Sequence, residues 1–287
     1  MPELPEVEVV RRGLAAHAVG RRLVTVAALH PRAVRRQAGG ADEMAALLTG
    51  REVVGTGRRG KFLWLLTDDA HLALAAHLGM SGQFRVDPPG GAVPGHARAS
   101  FDLDDSVLWF IDQRTFGWVS AAELVPDASG AAVPLMVRGI ALDPTEADFD
   151  AAVVARAMRS HRVEIKRLLL DQSLVSGIGN IYADEALWRA GVHPRRRADR
   201  LPAATVRLVL AQASAVMAES LAAGGTSFDA LYVDVNGRSG YFERGLAVYG
   251  RHGRPCRRCG TPVARERFAN RHSHFCPQCQ PAPRATA

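Results

Sequence analysis

Residues 256–279 read CRRCGTPVARERFANRHSHFCPQC, and they hold every cysteine of the 287-residue chain: Cys256, Cys259, Cys276 and Cys279 form a C-x2-C-x16-C-x2-C array. Two close pairs at this separation can wrap one tetrahedral Zn²⁺ in four thiolates, a closed structural site with no position open for chemistry. Disulfides are the competing reading, and they suit an oxidising compartment rather than the cytoplasm, where this chain is expected. A module this small buries too little surface to fold without its metal, so one structural zinc per chain is expected. Charge is concentrated around the array: residues 251–287 carry eight arginines against one carboxylate, whereas the first 250 residues balance 28 basic groups against 28 acidic ones. A rigid basic hairpin is the footprint of a polyanion binder, most often nucleic acid. Arg257, Arg258, Arg265, Arg267 and Arg271 are the expected phosphate contacts.

Working outward, the length suggests two domains, and 47% hydrophobic with 23% charged residues is ordinary globular usage. The start, MPELPEVEVV, is acidic where a secretory signal would be basic, and no apolar run approaches the ~20 residues of a membrane span. Val7, Val10 and Leu14 at helical spacing predict a short helix over residues 5–17. From Leu23 to Val125 the pattern becomes short apolar or alternating runs, LVTVAAL, FLWLL, HLALAAHL, ARASFDL and VLWFI, a β-sandwich or barrel. VPDASGAAVP, residues 125–134, reads as a linker. Residues 150–223 read as helical, with DQSLVSGIGN interrupting two helices and Asn180 placed to cap the second. The expected organisation is α+β: a sandwich over 1–130 with an N-terminal helix, a helical domain over 131–250 and a zinc finger over 251–281.

Two further features carry chemistry. Pro2 follows the initiator methionine, whose removal leaves a secondary amine; an α-amino group has a reference pKa of about 7.7–8.0 against about 10.4 for lysine, so part of it is nucleophilic at neutral pH. Such amines form Schiff bases with aldehyde carbons, and Glu3 and Glu6 lie close enough to move protons beside it. The ordinary role of those glutamates is to favour a helix N-terminus. The second feature is a scarcity: 34 of the 36 basic residues are arginine, so Lys61 and Lys166 are the only side-chain amines.

PELPEVE, GRRGKFLWL, HLGMSGQF, DQRTFG, GIGNIYADEALW and FCPQCQ occur in an order and spacing that resembles the formamidopyrimidine-DNA glycosylase family across nearly the whole chain. The resemblance implies a helix-two-turns-helix in the helical domain, a β-hairpin zinc finger, and DNA in the cleft between the domains. It implies a monomer acting on double-stranded DNA that contains oxidised bases or abasic sites, excising 8-oxoguanine and formamidopyrimidines and nicking the abasic site by β,δ-elimination. By this resemblance the catalytic set is Pro2 as nucleophile, Glu3 as proton donor to the opening sugar, Lys61 near the lesion phosphate, and Arg271 of the finger on the flanking phosphates. Met80, Arg114 and Phe116 match the trio that fills the hole left by a flipped nucleotide, with Arg114 facing the orphaned partner base. Outside this motif, Met80 and Phe116 read as core residues and Lys61 as a strand-edge lysine. His96, Asn180 and Tyr241 complete the DNA contacts, and residues 225–240 match a lid over the damaged base.

Three other readings stay open on sequence alone. The related endonuclease VIII branch prefers oxidised pyrimidines, although the Leu-Pro of PELPEVE favours the purine branch. A relative that only binds damaged DNA through its finger would not need Pro2, Glu3 and Lys61. Without the motifs, the cysteines and basic tail alone suit a zinc-ribbon transcription or RNA-binding module.

Overall fold

The computed structural model describes residues 2–225, 235 and 245–283. The chain divides into two compact units, Met1–Gly139 with Ala223–Tyr241, and Ile140–Ala222 with Phe242–Ala287. Among the described residues no helix is long and apolar enough to cross a membrane.

The first unit begins with α1 (Leu4–Ala18), which starts where Pro5 presets the first turn and a Glu3/Glu6 capping box closes it. Its buried face, Val7, Val10, Leu14 and Ala18, has the expected helical spacing and packs against β2 (Val53–Arg59), β3 (Phe62–Thr67) and β5 (Gln83–Asp87). Burying each such Val or Leu contributes about 1.5–3 kcal/mol, enough to fix the position of the N-terminus. Beyond β1 (Thr25–Ala28) and α2 (Gly40–Leu48), the strands continue as β4 (Leu72–His77), β6 (Ala97–Asp102), β7 (Val107–Ile111), β8 (Trp118–Pro126) and β9 (Ala132–Pro134). They form two antiparallel sheets, ordered β1-β6-β7-β5 and β2-β3-β4-β8-β9, around one core that includes Leu63, Leu65, Leu74, Phe84, Phe101 and Phe110.

The expected linker is not one. Residues 125–134 turn back as the β8–β9 hairpin, with Val125 opposite Val133. Asp127 organises the turn by accepting from the amides of Ser129 and Ala131, and it also takes the buried Arg59 guanidinium at 2.6 Å. The first compact unit runs on past this hairpin to Gly139.

The second unit packs α3 (Ala151–Arg159), α4 (Ile165–Leu169), α5 (Asn180–Arg189) and α6 (Ala203–Ala222) with the hairpin β10 (Ala264–Phe268) and β11 (Arg271–Phe275). Asp150 caps α3 by accepting from the amides of Ala152 and Val153. The loop from Asp171 to Gly179 is pinned by Gln172, which donates to the carbonyls of Leu170 and Ile178 and accepts from Gly177 N. Asn180 is not the cap of α5: the cap position is Gly179, extended at φ −121°, and Asn180 is the first helical residue. Its amide nitrogen instead donates to the carbonyl of His272 at 2.9 Å.

Candidate active site

In the first unit Pro2 is buried at the start of α1, beside two carboxylates that are each 2% exposed, Glu3 and Glu6. Glu6 Oε2 accepts from Glu3 N at 2.8 Å, so Glu6 is committed to the cap and fixes the backbone that carries Glu3 and Pro2. Lys61 occupies the turn between β2 and β3, and the two arginines before it anchor that turn. Arg58 pairs with Glu8 of α1 at 3.0 Å and donates to the Gly60 carbonyl at 3.2 Å, while Arg59 pairs with Asp127. Glu8 also takes Arg11 and Arg12; burial raises its carboxyl, but these guanidiniums outweigh that and hold it at about 2. Helix α1 and the Lys61 turn are thus tied by charge as well as by packing.

His77, at the end of β4, stacks on Trp118 and tilts against Phe62. Burial, then the charges of Lys61, Arg35 and Arg36, push its pKa down to about 4. Its Nδ1 accepts from Gly79 N at 3.0 Å, so the neutral ring carries its proton on Nε2. With Arg36, Phe62, Trp118 and Met136 it lines a cavity of about 420 Å³. Sequence reasoning missed His77 although it opens the HLGMSGQF motif; its place three residues before Met80 was the available signal.

Met80 and Phe116 are not core. They stand 40% and 42% exposed. Arg114 lies over the Phe116 ring, 5.0 Å from its centroid. The fully buried Asp112 ties the two loops together: its carboxylate accepts from Ser81 Oγ at 2.6 Å, Arg114 N at 3.1 Å and Gly117 N at 2.7 Å. Gly79, at φ +63°, lets the loops touch, since a Cβ there would meet Gly117 N and Phe116 C at 2.5 Å. His96, at φ 64°, joins the same construction through its carbonyl, which accepts from Asp112 N at 3.0 Å.

In the second unit Lys166 and Asp184 form an ion pair of 2.6 Å with both side chains 0% exposed. Asp184 also accepts from Ser273 Oγ and His274 N, and the His272 carbonyl accepts from both Lys166 and Asn180. One buried network therefore sets β11, where Arg271 begins, against the start of α5, where Asn180 sits. The four cysteine sulfurs lie within 4.8 Å of one another, with Cys259–Cys276 at 3.4 Å and Cys256–Cys279 at 4.0 Å. Zn–S bonds of about 2.3 Å in a tetrahedron place sulfurs about 3.8 Å apart, so the set fits one zinc, and none is at disulfide distance. The amides of Arg258 and Cys279 and the Trp188 indole point at these sulfurs, donors suited to thiolates. Two of the expected phosphate contacts are occupied with the protein itself: Arg258 lies over Trp188 and donates to the carbonyls of Trp188 and Arg189, and Arg257 donates to Gly245. Arg265 and Arg267 remain exposed. Tyr241 and, apart from Gly225 and Val235, the segment expected as a lid lie outside the described residues.

Three family models match in order: the formamidopyrimidine-DNA glycosylase N-terminal domain over residues 1–119, its H2TH domain over 140–231, and a zinc finger found in FPG and IleRS over 253–282. The chain is 56% identical to a formamidopyrimidine-DNA glycosylase of Nocardia farcinica, with 99% of each covered. The chain belongs to the formamidopyrimidine-DNA glycosylase family. Among solved structures it is similar to the Lactococcus lactis enzyme bound to abasic-site DNA (TM-score 0.85, 31% identity) and bound to Fapy-dG DNA (TM-score 0.84, 31% identity), covering 98% of this chain and all of each neighbour. The cysteines hold one structural zinc.

Proposed function

We propose that the protein is a base-excision repair enzyme, a monomer acting in the cytoplasm on the nucleoid, that removes oxidised purines from double-stranded DNA and nicks the abasic site it creates. The observation that carries this reading is the start of the chain: Pro2 is buried just before α1, next to Glu3, whose backbone the Glu6 carboxylate fixes, while Lys166, one of the two alternative amines, is locked against Asp184. The named relatives act on or bind such DNA, including abasic and Fapy-dG lesions.

The Pro2 nitrogen attacks the anomeric carbon of the damaged nucleoside, the glycosidic bond breaks, and its electron pair leaves with the base, which takes up a proton. Glu3 protonates the ring oxygen as the sugar opens, leaving an iminium between Pro2 and the sugar. Loss of the proton next to the iminium expels the 3′-phosphate, a second elimination expels the 5′-phosphate, and water then hydrolyses the iminium to release Pro2. Lys61, with the neutral His77 beside it, grips the lesion phosphate, and Asn180, Tyr241 and Arg271 grip its neighbours. His96 contacts the backbone, and Met80, Arg114 and Phe116 fill the vacated stack. Borohydride reduces the iminium and should give one covalent adduct that maps to processed Pro2. Lys61→Ala and Lys166→Ala should still trap, and a form retaining Met1 should not; an adduct on either lysine would refute the mechanism.

A further inference from the structure

Thr115, between Arg114 and Phe116, has φ 55°, a conformation a β-branched residue rarely adopts and one that persists only where its surroundings enforce it. Asp112 enforces it from inside. From outside, Arg35, just past the 3-10 turn Pro31–Val34, donates from Nη2 to the Phe116 carbonyl at 2.5 Å and from Nη1 to the Gly117 carbonyl at 2.7 Å. Nη1 also reaches the Arg32 carbonyl at 2.6 Å, closing Arg35 onto its own turn. The strained loop is thus gripped on one side by a carboxylate taking its amides and on the other by a guanidinium taking its carbonyls, and charges of opposite sign face each other across it.

We propose that Arg35 is a positioning residue for opposite-base recognition: by holding the Phe116 and Gly117 carbonyls it keeps Arg114 and Phe116 fixed on the Met80 turn as a single reading head. This rests on the reading that Arg114 faces the orphaned base. Arg35 touches no base in this role; it supplies the rigidity without which a side chain entering the stack would yield instead of discriminating.

The test is excision of 8-oxoguanine opposite cytosine and opposite adenine, with the salt dependence of lesion-DNA affinity measured alongside. Arg35 is exposed, so Arg35→Gln leaves no cavity, and thermal unfolding checks that it folds. The cytosine preference should fall about tenfold in Arg35→Gln, in line with the cost of sub-ångström misplacement, with the salt slope unchanged. Arg35→Lys should recover only part, because a point donor cannot span two carbonyls. An unchanged preference in Arg35→Gln, while Arg114→Ala narrows it, overturns the positioning role alone. A slope flattened by about one makes Arg35 a phosphate contact instead. If Arg114→Ala leaves the preference intact, the reading of Arg114 fails and this role falls with it.

Discussion

Replacing Lys166 with alanine tests how the second unit holds its DNA-facing strand. Both members of the Lys166–Asp184 pair are 0% exposed at 2.6 Å, so the variant strands a carboxylate left with Ser273 Oγ, His274 N and, at 3.4 Å, the His274 Nδ1 ring nitrogen. It also removes an ammonium lying 5.3 Å from the centre of the Phe268 ring. Breaking a buried pair from one side costs about 3–5 kcal/mol. For a unit of this size, Ile140–Ala222 with Phe242–Ala287, each kcal/mol shifts the transition by about 3–6 °C, so its unfolding should fall by about 9–30 °C in calorimetry. The double variant Lys166→Met/Asp184→Leu should recover part of the loss by removing both charges. It should stay about 1–3 kcal/mol short, because the buried His274 amide then lacks its acceptor. Lesion-DNA affinity should weaken in the single variant below its melting transition, since the His272 carbonyl loses Lys166 and the start of β11 loosens. A Tm change under about 2 °C, or full recovery in the double variant, would refute the view that this network sets the strand.

Three other outcomes are expected. Arg271→Ala should flatten the plot of log affinity against log salt by about one, at roughly −0.9 per phosphate contact; an unaltered slope removes Arg271 from the contacts. Stripping zinc should abolish DNA binding while the first unit keeps its melting transition, because the finger cluster of Val248, Cys256, Val263 and Cys276 has no part in the sandwich core; normal binding by the apoprotein would contradict a structural zinc. The His77 resonances should titrate near pH 4 rather than 6.5, and Lys61→Ala should move the midpoint upward. The sign follows from the depressed pKa: above 6.5 both states hold His77 neutral, and as pH falls from 6.5 to 4 only the unfolded chain binds the proton, so about 3 kcal/mol of stability is lost across that window. An ordinary midpoint would mean that His77 is not buried beside those charges.

Short-range features were legible in the amino-acid order. The start of α1 follows from Pro5, the Glu3/Glu6 pair and the spacing of Val7, Val10 and Leu14, and the metal site follows from two C-x2-C pairs, because within each the interacting groups are a few residues apart and the cysteine pairs are joined by one short hairpin. The motifs carried family and fold class for the same reason: they are contiguous strings. What the tertiary structure alone decided are partnerships across long stretches of chain. Residues 125–134 have the composition of a linker, yet they form a hairpin because Asp127 meets Arg59 across 68 residues. Asn180 looks like a cap, yet Gly179 takes that place and Asn180 turns to His272, 92 residues away. Most of all, with 34 arginines in the sequence, nothing local distinguishes Arg35, which holds the Phe116 loop, from Arg258, which is spent on Trp188. Every guanidinium has the same charge and reach, and only the folded backbone determines which carbonyls and carboxylates come within hydrogen-bond reach of it.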